Sequence, residues 1–403
     1  MKTVSPASYR KALTALLSLA ALGYLLYHTL AGGTLLSSNV YDTYALQAQN
    51  WLMGRVDVLD GASYSWLELA IFQGRYYVSF PPVPTLCSLP FVALLGMSPA
   101  NLLMVVYTLI SCAAVFQCIR HLGGSPYTCA FWALFFTFAT NLTEVSRTGG
   151  VWNQAQALNL ALCFSALWCL LSHRHNLCLI LLALAVGCRP FSAVYLLAVG
   201  IYLLWQSKEK LRSTLLSLLP GISGVFFIAA AMMAYNAARF GNPLEFGHNY
   251  LPEFTQSEYG QFHFSYLLPN LLQLFRLPTL NQQLAVEFPL FNGFLFFLVN
   301  PVFVVWGIHL FQSRRQPGFS KALCFSLLPL LVVLLSICAH KTMGGWQFGA
   351  RYTLDLLPAA LAGVGFFQIS QRSPRFWEGY LCAIGVIINV FGMAFMLMQE
   401  LGL

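Results

Sequence analysis

Residues 12–30 read ALTALLSLAALGYLLYHTL, nineteen residues without a charge. As a helix this run is about 28 Å long, close to the ~30 Å hydrocarbon core of a bilayer. Lys2, Arg10 and Lys11 precede it and no A-x-A-like cleavage site follows. It therefore reads as an anchor and first span, not as a removable leader. Just beyond it stands Asn39-Val40-Tyr41-Asp42, where a second, polar-faced helix is expected to begin.

Ten more apolar runs fall near 100–119, 126–142, 153–172, 176–188, 190–206, 213–235, 291–312, 321–339, 353–370 and 376–398. Of the 403 residues, 58% are hydrophobic and 8% charged; a soluble domain carries roughly 25% charged residues. The expected fold class is an all-α polytopic membrane protein with about eleven transmembrane helices. The apolar segment 82–96 holds Pro82, Pro84 and Pro90 and reads as an interfacial helix. Arg189-Pro190 separates two short runs, so these read as a broken or tilted pair. The net charge of +8 forms no basic face, which argues against a nucleic-acid partner. The eleven cysteines all lie in apolar segments without a C-x-x-C pair, and read as small packing residues.

Charge sets the orientation. With the N-terminus inside, cytoplasmic segments hold thirteen of the 21 basic residues and only Glu209 and Glu378 as acids. The outer segments hold the other eight basic residues and eleven of the 13 acids. The basic bias fits the positive-inside rule. The acid bias is no part of that rule, and function on the outer face is one cause for it. The expected location is a plasma (inner) membrane, or the ER membrane in a eukaryote, with the C-terminus outside. The longest outer segments are 31–99 and 236–290, with a shorter one at 340–352.

The first of these carries the chemistry. A helix is expected up to Met53, capped by Asn39 and ended by Gly54. Tyr41, Ala45, Ala48 and Leu52 share one face; Thr43, Gln47 and Asn50 share the other. The helix is thus expected to lie on the membrane surface. Asp42, in its first turn, reads either as a complement to the helix dipole or as a general base held at headgroup depth. Two β-prone stretches around Gln73-Gly74-Arg75 predict a short hairpin leading into Pro81-Pro82.

Four stretches together resemble the GT-C superfamily of polyprenyl-phosphate-dependent glycosyltransferases, such as protein O-mannosyltransferases and aminoarabinose transferases. They are Tyr41-Asp42-x-Tyr44 with its helix, Tyr76-Tyr77-Val78-Ser79-Phe80-Pro81-Pro82, Phe240 to Tyr250, and Gly344 to Tyr352. The resemblance implies a catalytic membrane module over 1–255 and a variable C-terminal set of spans over 256–403. It implies an inverting transfer in which Asp42 is the base and a lipid phosphate leaves. Many relatives carry a second acid after the first-loop Asp, and His or Lys before the paired prolines. Here Thr43 and Ser79-Phe80 stand in those places.

Candidates to bind the donor phosphate are Arg351, Arg75, Lys341 and Arg189. Candidates to bind acceptor or sugar are Tyr44, Glu144, Glu245, His248 and Trp346. Each has a plainer reading: snorkelling cations, or ion pairs such as Glu144 with Arg147. Asp57 and Asp60 read as solvated turn acids. Glu245 and His248 alone are too few for a metal, so no metal or other cofactor is expected. The expected partners are a polyprenyl-phosphate sugar donor, a lipid, glycan or protein acceptor, and membrane lipids. A transporter or flippase of a lipid-linked glycan is the rival, and an inert assembly subunit the third reading. A transporter usually needs charges at mid-membrane and often repeats; apart from Arg189 none is evident.

Overall fold

The computed structural model describes residues 5–207 and 211–402. Lys2, Lys208, Glu209 and Lys210, which enter the charge count above, lie outside the described residues. The first helix, α1 (Pro6–Leu30), starts where Pro6 presets the backbone and the Ser5 hydroxyl accepts from Ser8 N. A segment of mixed structure follows: α2 (Thr43–Leu52), β1 (Leu69–Phe72), β2 (Arg75–Val78) and α3 (Val83–Leu95). The strands pair antiparallel, Leu69 opposite Val78 and Phe72 opposite Arg75. Gln73 and Gly74 have φ of 50° and 74°, the left-handed pair that a two-residue hairpin of matching twist requires. The segment 82–96, expected as an interfacial helix, forms α3, in which Leu86, Leu94 and Leu95 are exposed.

The central bundle comprises α4 (Ala100–His121), α5 (Pro126–Thr137), α6 (Leu142–Val145), α7 (Val151–Leu171) and α8 (His175–Val186). Phe116, Trp132, Phe135, Phe136 and Phe164 fill its core and are fully or almost fully buried. A 3-10 turn at Pro190–Ser192 leads into α9 (Ala193–Ser207), and α10 (Leu211–Phe240) packs back on α8. A long connection then carries α11 (Pro252–Thr255), α12 (Leu267–Gln273) and a second hairpin, β3 (Thr279–Leu280) with β4 (Val286–Glu287). The C-terminal helices are α13 (Phe296–Val299), α14 (Val302–Gln312), α15 (Phe319–Ala322), α16 (Leu328–Cys338), α17 (Leu357–Phe366) and α18 (Phe376–Leu401). A π-helical stretch joins α15 to α16. All eleven cysteines are free.

Among the described residues seven helices are long and apolar enough to cross a membrane: α1, α4, α7, Pro190–Ser207, α10, Phe319–Cys338 and α18. The chain is therefore a multi-pass membrane protein, with seven of the eleven expected spans present as unbroken helices of that length. The other four apolar runs are cut short by identifiable residues. The run 126–142 breaks after Thr137 into α5 and α6, and 176–188 stops at Gly187 ahead of Pro190. Asn300-Pro301 splits 291–312 into α13 and α14. The run 353–370 begins as a 3-10 helix, Arg351–Leu356, and turns α-helical only at Leu357-Pro358.

α2 departs from expectation in two ways. Its N-cap is Asp42, not Asn39, whose side chain instead accepts from Tyr41 N. Its polar face is also buried in the protein, as is Ala48 of the other face. Thr43, Gln47 and Asn50 are buried, while Tyr41, Leu52 and Met53 are exposed. Gln47 donates to the Tyr235 hydroxyl at 2.7 Å and accepts from Thr85. The polar face is turned into the protein, where partners satisfy it, and the apolar face is left for lipid.

Candidate active site beside α2 and the start of α7

Asp42 is held by its own capping duty. One carboxylate oxygen, Oδ1, accepts from Tyr44 N and Ala45 N at 3.1 Å and from Gln154 Nε2 at 2.8 Å. The other, Oδ2, is buried and has no hydrogen-bond partner among the described residues. The residue is 6% exposed. Burial pushes its pKa up from 3.8 to about 6, against the pull of the Ala45, Gln154 and Tyr44 donors. The result is a carboxylate fixed through one oxygen and free to take a proton on the other. Val151 N donates to Tyr41 O, and Asn39 donates to Thr148 Oγ1, so α2 and the start of α7 move as one piece.

A cavity of about 220 Å³ lies on the far side of that α7 terminus. Phe80, Trp152, Arg189, His248, His340 and Tyr352 are among its walls. Asp42 itself is not. It meets α7 through Gln154, one residue before the lining Ala155, and the Tyr41 ring packs on Trp152 with centroids 5.8 Å apart.

One arginine, Arg189, lines this cavity, and two more, Arg351 and Arg239, lie within electrostatic reach of its histidines. Arg189 is paired with Asp355 at 2.5 and 3.1 Å and lies 4.8 Å from the Tyr352 ring centroid. Arg351 is buried and has no carboxylate in ion-pair contact among the described residues. Its Nε and one terminal nitrogen donate to Gly344 O at 2.9 and 2.6 Å, and the other donates to Gln156 at 3.2 Å. Gly344 has φ of 109°, and a Cβ there would sit 3.0 Å from Arg351 Nε, so this cradle needs glycine. Arg239, at the end of α10, likewise lacks an acid partner; it donates to Val78 O at 2.6 Å and Asn236 Oδ1 at 2.7 Å. Its Nε has no partner among the described residues.

These charges set the state of the two histidines. Burial, then His340, Arg189 and Arg239, hold His248 down to about 3. Burial, with Arg189 and Arg351, holds His340 down to about 4. Both imidazoles are therefore neutral at pH 7. Arg189 is balanced by Asp355, and Glu245 also lines the cavity, so the uncompensated positive charge is that of Arg239 and Arg351 behind the walls.

Tyr44 is fully buried, its ring edge-on to Phe80 at 6.5 Å. Glu245 lines the cavity, but its oxygens are occupied by Gly247 N at 2.7 Å and Asn249 Nδ2 at 2.9 Å, so it builds the turn. Lys341 is turned to Glu253 O at 2.6 Å, although its neighbour His340 lines the cavity. Arg75 follows the hairpin turn and is exposed, and Trp346 is 64% exposed; neither lines the cavity. Glu144 is tied to Arg147 at 3.1 Å, and Arg147 to Glu400 at 2.7 Å. Asp57 is not a solvated acid: it is buried and paired with Arg55 at 2.7 Å.

Sequence reading passed over Arg239, His340, Gln154 and Asp355. Arg239 adjoins the quoted stretch that begins at Phe240, and that adjacency was its one signal. Asp355, counted among the outer acids, stands two residues inside the run 353–370, so a second charge does enter an expected span.

No protein-family model matches the sequence, and neither does any curated protein. Solved structures do. ArnT from Cupriavidus metallidurans bound to undecaprenyl phosphate aligns over 95% of this chain and 63% of that one, at 15% identity and a TM-score of 0.53. Its apo state aligns over 90% and 62%, at 15% identity and a TM-score of 0.51. An oligosaccharyltransferase from Archaeoglobus fulgidus in the apo form covers 96% and 55%, at 11% identity and a TM-score of 0.45. This chain spans less than two thirds of the length of each. At these identities the likeness to ArnT is one of fold.

Proposed function

We propose that this chain is a glycosyltransferase that moves a sugar from a polyprenyl-phosphate carrier to an acceptor at the Asp42 end of its helices. One observation carries the reading. A carboxylate with one buried oxygen that lacks a partner among the described residues stands across the α7 terminus from a cavity lined by Arg189, and two arginines without acid partners, Arg239 and Arg351, act on the histidines in its walls. The undecaprenyl phosphate bound to one ArnT structure makes a lipid phosphate the natural anion for these arginines.

In this reading Asp42 Oδ2 accepts the proton of an acceptor hydroxyl or amine. The acceptor atom attacks the anomeric carbon, the bond from that carbon to the phosphate oxygen breaks, and configuration inverts. The electron pair leaves with the lipid phosphate, whose new charge falls to Arg351, Arg239 and Arg189. Gln154 fixes the carboxylate rotamer. Trp152, Phe80 and Tyr352 offer aromatic faces to a sugar. Glu144, Glu245, His248 and Tyr44 support these walls, while Arg75, Lys341 and Trp346 reach the substrate only if the adjoining loops close. No metal enters the scheme. The segments after residue 255 supply His340 and Tyr352 to the cavity, with Arg351 next to Tyr352, so in this reading both portions of the chain serve the reaction. The site faces the outside of the membrane in the orientation that the basic residues favour.

The test is transfer by the reconstituted protein from a panel of labelled polyprenyl-phosphate sugars. Released polyprenyl phosphate that disappears in Asp42→Asn, at equal expression, is the expected result. Glycan movement across the vesicle without any transfer would instead support the flippase reading. Neither transfer nor movement, with a partner protein captured, would support an assembly subunit.

A further inference from the structure

A second and larger cavity, of about 500 Å³, lies toward the opposite ends of the same helices. Its place follows from helical register. On α7, Trp152 and Ala155 line the first cavity, while Cys163, Ala166 and Leu170 line the second. Between them Asn159 accepts from Ser192 Oγ at 2.6 Å. The segment entering α9 repeats the order, with Arg189 above, Ser192 between, and Tyr195 and Val199 below. So does the α17 segment, with Tyr352 above, Asp355 between, and Pro358 and Ala362 below. The Arg189–Asp355 pair and the Tyr195 hydroxyl donating to Asp355 O complete a polar layer that closes the inner end of the second cavity.

We infer that this cavity binds an anionic glycerophospholipid of the adjoining leaflet, with an acyl chain inside and the phosphate at Lys321. The volume is that of a small-molecule site. Small side chains make the room: Cys163, Ala166, Ala198, Ala359, Ala362 and Gly365. The inner walls are apolar, as a hydrocarbon chain needs. The mouth is not. His173, Gln206, Lys321 and Gln368 gather there, and among the described residues no Asp or Glu lines the cavity. Lys321 Nζ lies 5.1 Å from the ring of the half-exposed Trp205, the cation-and-aromatic arrangement that marks headgroup depth. The sign of charge at the mouth selects an anionic over a zwitterionic headgroup.

The test uses the full chain purified in mild detergent, incubated with phosphatidylglycerol or phosphatidylcholine and read by native mass spectrometry. One phosphatidylglycerol per chain should be retained, and phosphatidylcholine at least tenfold less. Lys321→Glu should lower phosphatidylglycerol retention at least tenfold. Ala362→Trp, which fills the cavity, should abolish retention while the lipid-free melting temperature stays within a few degrees of wild type. If Ala362→Trp does not fold, Lys321→Glu decides alone. Equal retention of the two lipids, retention unchanged in Lys321→Glu, or displacement of phosphatidylglycerol by polyprenyl phosphate would each overturn the assignment.

Discussion

Replacing Asp42 by Asn should make the protein more stable and inactive at once. The folded-state pKa of Asp42 is raised from 3.8 to about 6. As pH climbs through that window the unfolded chain loses its proton first, so the native state binds more protons and stability falls with rising pH. Below about pH 4 the penalty is absent; above about pH 6 it is fully present. Two pKa units correspond to roughly 3 kcal/mol. Asn keeps an oxygen for Tyr44 N and Ala45 N, so the helix cap survives and the penalty does not. Thermal melts at pH 4, 5, 6 and 7 should show a downward slope in the wild type that is missing in Asp42→Asn, with the variant ahead at pH 7. Single-turnover transfer should show the reverse order. Wild-type rates should drop about tenfold per unit below pH 6, and Asp42→Asn should lose about 10²–10⁴-fold without that pH limb. A variant within threefold of wild type, or one that keeps the pH 6 limb, would refute the assignment of Asp42 as base. Parallel melting slopes for the two proteins would refute the stored penalty.

The other predictions concern the charges around the cavity. Asp355→Ala leaves the buried Arg189 guanidinium without its acid and should cost about 3–5 kcal/mol, seen as a large fall in melting temperature that Arg189→Leu/Asp355→Leu partly restores. Arg351→Gln should weaken polyprenyl-phosphate binding about tenfold to a hundredfold, the worth of about 1.5–3 kcal/mol for a charged hydrogen bond, and Arg351→Lys should not rescue it because the planar fork is lost; titration with the lipid phosphate reads this directly. Glu144→Gln, in a buried pair with Arg147, should destabilise by several kcal/mol. Glu400→Gln removes the half-exposed partner of the same arginine and should cost less than about 1 kcal/mol; the two melts side by side check the ranking. Chelators should leave transfer unchanged within twofold, and a chelator-sensitive rate restored by one divalent cation would contradict the metal-free scheme.

Hydropathy located the eleven helical segments because burial in lipid is read directly from runs of apolar residues. It did not foretell which of them stay unbroken, since Asn300-Pro301 and Leu357-Pro358 act through local backbone geometry. It misjudged the faces of α2 for a related reason. In water a polar face points outward, whereas beside lipid Gln47 and Asn50 find their partners inside. The role of Asp42 as a cap was within reach, since Asp is a favoured N-cap residue, but Asn39 competed for it with the same chemistry. Arg189 and Asp355 are 166 residues apart, and nothing local to either announces the other. The same distance effect hid His340, which reaches the cavity from the segment after α16, and Arg239, which acts on His248 from the end of α10.

The layer of Asn159, Ser192, Arg189 and Asp355 also acts as insulation. Two chambers lie on either side of it, and under the proposed function a lipid drawn into one must not drain into the other. Opening that passage means parting a buried ion pair, at a cost of several kcal/mol. Under that reading each chamber fills and empties on its own schedule.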